Sequence, residues 1–163
     1  MEIRTLIDED FVNYKKPSMF IGVGTCNWKC CKEAGIPIET CQNSELASTP
    51  IKNFSNSFLY NRYINNRISS AIVIGGLEPF TCFYQVISFI DYFRACGCDD
   101  DIVIYTGYYP EEIEKIKIES LKKYDNIIIK FGRYKPNSEP KFDQLLGITL
   151  ASNNQYALKV SDI

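Results

Sequence analysis

Four of the seven cysteines crowd one short stretch, Gly24-Thr25-Cys26-Asn27-Trp28-Lys29-Cys30-Cys31, which closes at Cys41-Gln42-Asn43. The residues just before it, Ser18-Met19-Phe20-Ile21-Gly22-Val23, read as a buried strand, so the first thiols sit where a strand runs into a loop. Soft sulfur ligands select zinc, copper(I) or iron–sulfur clusters. The segment lacks the paired Cys-x-x-Cys halves of a structural zinc ribbon. Three thiolates suit a four-iron cluster with one iron left open, while zinc or a set of buried thiols are the alternatives. The chain contains no histidine, which excludes His-based triads and Cys2His2 zinc sites.

Two further stretches carry candidate chemistry. Gly75-Gly76-Leu77-Glu78-Pro79 follows a short apolar run. Glycines there let the backbone approach a ligand closely, and a carboxylate can hold an ammonium group; the bland reading is a turn with a solvated Glu78. Tyr105-Thr106-Gly107-Tyr108 stands at the end of another apolar run, and by itself reads as a strand exit with aromatic packing. Of the other cysteines, Cys82 reads as a small buried residue early in a helix. Cys96 and Cys98 read as exposed loop thiols.

The elements that position these residues follow from periodicity. Short β-branched runs at 71–74, 102–105 and 127–131 predict buried strands, with a last one at 147–150. Helical spacing is expected over 54–64, with Phe54, Phe58, Leu59 and Ile64 on the buried face, and over 81–95, which Gly97 stops. Pro110-Glu111-Glu112 opens a third helix reaching about Lys123. Residues 1–17 read as a charged lead-in and Lys32 to Gln42, with Gly35 and Pro37, as a loop. Strands alternating with helices predict an α/β fold on a parallel sheet, in which sites gather at the carboxyl ends of the strands. The cysteine loop and both glycine turns lie at such ends.

At 163 residues the chain reads as one domain, 1–163, and 45% apolar with 23% charged residues is ordinary for a globular core. A net charge of −2 offers no general reason to bind nucleic acid or an acidic membrane. No basic start followed by an apolar run opens the chain, and no apolar stretch approaches the roughly 20 residues of a membrane span. The expectation is a cytoplasmic protein with reduced thiols; an odd number of cysteines points the same way.

Taken in order, these motifs resemble the radical S-adenosylmethionine proteins, and most of all the small activating proteins of anaerobic ribonucleotide reductase. That family carries a Cys-x3-Cys-x2-Cys loop, a Gly-Gly-Glu-Pro turn, a Tyr-Thr-Gly-Tyr strand end and a late Asn-Gln. Cys26 and Cys30 match the first two ligands, Cys41-Gln42-Asn43 the third, Glu78-Pro79 the turn, and Tyr105-Thr106-Gly107-Tyr108 the strand end. Gly132-Arg133-Tyr134 and Ser152-Asn153-Asn154-Gln155 resemble the C-terminal elements, so the likeness spans roughly residues 10–156. The departures are the ten residues between Cys30 and Cys41 where the family has two, Thr40 in place of an aromatic, Leu77 within the turn, and Phe131 in place of an acid.

The resemblance implies a 4Fe-4S cluster held by Cys26, Cys30 and Cys41, with Cys31 as an alternative ligand. It implies S-adenosyl-L-methionine against Gly75, Gly76, Glu78, Thr106 and Gly107, with no catalytic residue beyond the cluster. It implies a small incomplete (open) parallel β/α barrel, because a full barrel typically takes about 250 residues. The implied activity is an oxidoreductase that reductively cleaves S-adenosylmethionine and leaves a glycyl radical on a partner enzyme, the large subunit of anaerobic ribonucleotide reductase. A flavodoxin- or ferredoxin-type reductant would supply the electron. The alternatives are a radical enzyme acting on a different protein or peptide, and a 4Fe-4S electron-transfer or regulatory protein.

Overall fold

The computed structural model describes residues 1–163. In chain order the elements are β1 (Glu2–Asp10), β2 (Ser18–Val23), α1 (Lys29–Ala34), α2 (Ser44–Ser48), β3 (Lys52–Asn53), α3 (Asn56–Asn65) and β4 (Ala71–Gly75). There follow α4 (Phe83–Ala95), β5 (Asp101–Tyr105), α5 (Lys115–Leu121), β6 (Ile127–Phe131), β7 (Lys141–Asp143), β8 (Ile148–Leu150) and β9 (Tyr156–Lys159).

A seven-stranded mixed sheet in the order β3-β1-β2-β4-β5-β6-β9 organises the chain. Strands β2, β4, β5 and β6 run parallel, as their β-branched sequences predict. The flanks differ: β1 pairs antiparallel with β2, and β9 antiparallel with β6. The sheet is open, with β3 and β9 at its two edges.

Side chains alternate across the central strands, as the two-residue period of a strand requires. Ile72, Ile74, Ile102, Ile104, Ile127 and Ile129 face the larger core, where Phe89, Ile90 and Phe93 of α4 and Leu59 of α3 cover them. Ala71, Val73, Val103 and Ile128 face the other way, into a smaller core closed by Tyr14, Leu146 and Leu150. The β7–β8 hairpin therefore fills the face of the sheet that the helices leave bare. Lys15 N–H donates to the Leu146 carbonyl at 2.8 Å, and Ala157 N–H to Asp143 Oδ2 at 2.9 Å, which pins the hairpin at both sides.

Several local expectations change. Residues 1–17 are mostly a nine-residue strand, β1, because alternation of apolar and charged side chains also suits a half-buried strand. The run at 147–150 is β8 of a separate two-stranded hairpin, and the last strand of the main sheet is β9. Lys32 to Ala34 are helical: Gly35 is not inside the helix but caps it at φ 63°, the left-handed conformation glycine favours. On α3 the buried residues are Leu59 and Tyr63, whereas Phe58 is 43% exposed and stacks on Phe54. The helix expected from Pro110 splits into a 3-10 turn at Pro110–Glu112, capped by the Glu112 carboxylate accepting from Tyr109 N–H at 2.9 Å, and α5, with Ile113 extended between them at φ −99°, ψ 129°. Of the remote thiols, Cys96 is exposed but Cys98 is buried, 3.8 Å from Asp100 Oδ2. No helix is long and apolar enough to cross a membrane.

Candidate metal centre

The carboxyl ends of β2, β4, β5 and β6 open into one cavity of about 510 Å³. Cys26, Cys30 and Cys41 line it, together with Gly76, Glu78, Thr106 and Gly107. Three separate stretches of sequence thus meet at one place. Gly75 does not line the cavity; a side chain there would meet Tyr105 Cβ at 3.0 Å, so it serves strand packing. Cys31 is also outside it, buried behind α1 with its thiol against that of Cys41. All seven cysteines are free thiols.

Local hydrogen bonds explain the shape of the cysteine loop. Trp28 takes the left-handed conformation at φ 60°, and its N–H donates to Cys26 Sγ at 3.3 Å. Asn27 Oδ1 accepts from Lys29 N–H at 3.2 Å, and its amide donates to the Tyr108 hydroxyl at 2.7 Å. The turn after β2 is thereby tied to the exit of β5. Helix α1 is held from outside by charge: Lys29 pairs with Glu112 at 2.6 Å, and Arg133 reaches both Glu112, at 2.5 Å, and Glu33, at 3.0 Å. Arg133 Nε lies 2.9 Å from Glu33 Oε2 without the alignment of a hydrogen bond. Arg133 also lies 5.0 Å from the centre of the Tyr109 ring.

The Arg133 guanidinium, before any other group, pulls the Glu112 carboxyl down to about 2, with Lys29 and Tyr109 N–H adding to the effect. A depressed carboxyl stabilises the fold above its ordinary titration range and loses that contribution as pH falls toward about 2. We therefore expect the urea midpoint of Glu112→Gln to lie below the parent's near neutral pH and to converge on it in acid, measured on the metal-free protein. The gap is modest because water screens these partly exposed pairs. A gap that widens in acid would contradict the pairing.

Glu78 is 4% exposed and its carboxylate is spoken for within the chain. Oε1 accepts from Thr106 Oγ1 at 2.7 Å and from Phe80 N–H at 3.1 Å, while Oε2 accepts from Gly107 N–H at 2.9 Å. Burial pushes its pKa up, and these three donors oppose the rise. The turn after β4 is thus stapled to the exit of β5. Gly107 in turn abuts Cys30: a Cβ on Gly107 would stand 2.5 Å from Cys30 Sγ. Glu78→Ala strands three buried donors and should destabilise the protein by about 2–4 kcal/mol, whereas Glu78→Gln keeps most of the shape and loses less. Thermal unfolding of the two variants checks this; equal losses would mean the carboxylate is not the staple.

Burial is also the main reason that the Cys26 and Cys30 thiols are both pushed up to about 11, with the Glu78 carboxylate adding to the rise in each. Trp28 N–H opposes the shift at Cys26 and Arg133 opposes it at Cys30. A metal entering here must displace thiol protons, which couples loading to pH. No three Cys, Asp or Glu groups converge on a single point as ligands of one ion would. Cys26, Cys30 and Cys41 nevertheless line the same cavity.

The sequence profile described as 4Fe-4S single cluster domain matches residues 16–156. The chain belongs to this family. No curated protein and no solved structure matches it. The metal group of a 4Fe-4S single cluster domain is an iron–sulfur cluster, so zinc gives way to iron among the alternatives the cysteines left open. The matched span contains all the residues that line the cavity except Val12 and Asn13.

Two cavity residues had no functional reading in the sequence. Lys130 reads there as a polar interruption of the strand Ile127–Phe131, and Gln155 as the end of an Asn-Gln pair. Lys130 is 7% exposed, donates to the Gly132 carbonyl at 3.0 Å and lies 5.7 Å from the centre of the Tyr105 ring. Burial pulls its ammonium down to about 8. Gln155 donates to the same Gly132 carbonyl at 3.2 Å. A lysine inside an apolar β-branched run was the available signal, since burying a charge without cause is costly.

Proposed function

We propose that this 4Fe-4S domain is a radical S-adenosylmethionine protein whose cluster is held by Cys26, Cys30 and Cys41, and that it activates a glycyl-radical enzyme such as anaerobic ribonucleotide reductase. The observation that carries the reading is the single cavity in which three thiols meet Glu78, the Gly76 turn and the Thr106-Gly107 strand end. Cys26, Cys30 and Cys41 would hold the cluster, which would supply the one electron for reductive cleavage of S-adenosylmethionine. The chain's own residues would position the cosubstrate: Gly76, at φ 77° in the left-handed conformation that glycine favours, lines the cavity with the thiols. The open sheet is in keeping with a small incomplete β/α barrel. Val12, which is 72% exposed, stands at the cavity rim beside exposed Phe11, an apolar margin suited to a protein substrate.

One observation favours a second reading. Glu78, the residue expected to hold the methionine ammonium, already accepts three hydrogen bonds from its own chain. A carboxylate so occupied fits a purely structural staple, and hence a cluster-binding electron-transfer or regulatory protein.

Anaerobic reconstitution with iron and sulfide, followed by reduction with S-adenosylmethionine present, separates the two. Formation of 5′-deoxyadenosine that disappears in Cys26→Ala is the expected result. A fully loaded cluster that yields none, with glycyl-radical partners added, would move the assignment to the second reading.

A further inference from the structure

Around the three thiols three cations stand against three carboxylates, but only two of each are in contact. Arg133 and Lys29 are neutralised by Glu33 and Glu112, two cations against two carboxylates in one network. Glu78 is a buried acid without a cationic partner in contact. Lys130 is its opposite: a buried cation in no ion pair, with a backbone carbonyl as its one acceptor. An ammonium so placed costs several kcal/mol unless something negative compensates it.

The topology shows what that is. Lys130 pairs with Tyr105 in the sheet register, and its carbonyl accepts from Thr106 N–H at 2.9 Å. Thr106 precedes Gly107, the residue pressed against Cys30 Sγ. On the two-residue period Lys130 follows Ile128 on the smaller-core face and lines the same cavity as the thiols. Glu78 lines the same cavity and its charge bears on Lys130, but its hydrogen bonds go to Phe80, Thr106 and Gly107, so it makes no contact with the ammonium.

We propose that Lys130 is the counter-charge of the iron–sulfur cluster and sets its reduction potential. Thiolate ligation makes the cluster anionic, and one electron taken from a low-potential reductant makes it more negative by one unit. A fixed positive charge in a low-dielectric wall stabilises the reduced form more than the oxidised form, and so raises the potential. Arg133 also bears on Cys30, but its charge is shared with Glu33 and Glu112. The proposal rests on the cluster and holds whether or not S-adenosylmethionine is cleaved.

Potentiometric titration of the reconstituted full chain, followed through the paramagnetic signal of the reduced cluster, tests it. At the parent's midpoint, Lys130→Met should show a reduced-to-oxidised ratio about tenfold lower, equivalent to about 59 mV for a one-electron couple. Lys130→Arg, which keeps the charge, should stay near the parent. A merely structural lysine would move stability and leave the midpoint in place. An unchanged midpoint in fully loaded Lys130→Met therefore overturns the proposal. If Lys130→Met does not hold a cluster, Lys130→Gln is read in the same way; failure of both neutral variants to load also overturns it, since the residue would then be required for assembly rather than for potential.

Discussion

Cys41→Ala should abolish stable cluster assembly, while Cys31→Ala should load iron and sulfide to nearly the parent level. The two thiols are neighbours in space, and the adjacent pair Cys30-Cys31 leaves the choice of ligand open from sequence alone. Their surroundings set the expectation. Cys41 lines the cavity with Cys26 and Cys30, whereas Cys31 is 3% exposed and turned into the packing behind α1. Removing a ligand takes away a metal–sulfur bond that nothing else on the chain replaces without rebuilding the loop. Removing Cys31 leaves a small packing defect, about 1 kcal/mol in stability. Iron and sulfide content per chain after anaerobic reconstitution, with the visible absorption of the cluster, reads both. Loss of the cluster in Cys31→Ala with retention in Cys41→Ala would reverse the ligand assignment.

Gly107→Ala should be nearly as damaging to the centre although it removes no ligand. The added methyl would stand 2.5 Å from Cys30 Sγ and 3.7 Å from Glu78 Oε2. A thiol at that separation must swing away or the β5 exit must move, and the second course strains the Gly107 N–H bond to Glu78. Overpacking of this kind typically costs about 1–3 kcal/mol, so the fold should survive while the cluster is lost or becomes labile. Far-ultraviolet circular dichroism would confirm the fold, and iron retention against a chelator would read the site. Parent-like retention would show that Cys30 does not sit against Gly107 when the cluster is bound.

The two variants differ in what made them visible. The cysteine set needs no structure: thiols crowded at a strand end, without histidine, carry their chemistry in their identity. The role of Gly107 as the floor beneath a thiol depends on a contact between residues 77 positions apart, and no local pattern reports it. The same holds for Glu78. Its place after a Gly-Gly turn marked it as a ligand-facing carboxylate, yet the geometry commits it to Thr106, Gly107 and Phe80.

What the sequence by itself determined is the α/β class of the fold and the soft-sulfur character of the centre. Short β-branched runs such as Ile102-Val103-Ile104 and Ile127-Ile128-Ile129 predict central strands, which the structure buries on both faces, and the helical period of 81–95 supplies their cover. Only the tertiary structure decided the flanks and the charge balance. Strand β1 carries alternating charges and becomes a strand because β2 is there to pair with it, and β9 displaces 147–150 as the last strand because β6 offers it an edge. Arg133 finds Glu33 across 100 residues of chain, and Lys130 comes to line the same cavity as the thiols. Periodicity encodes which face of an element is apolar, a property of neighbours in sequence. Pairing across the sheet and the compensation of buried charge are properties of neighbours in space, and they exist only once the chain has folded.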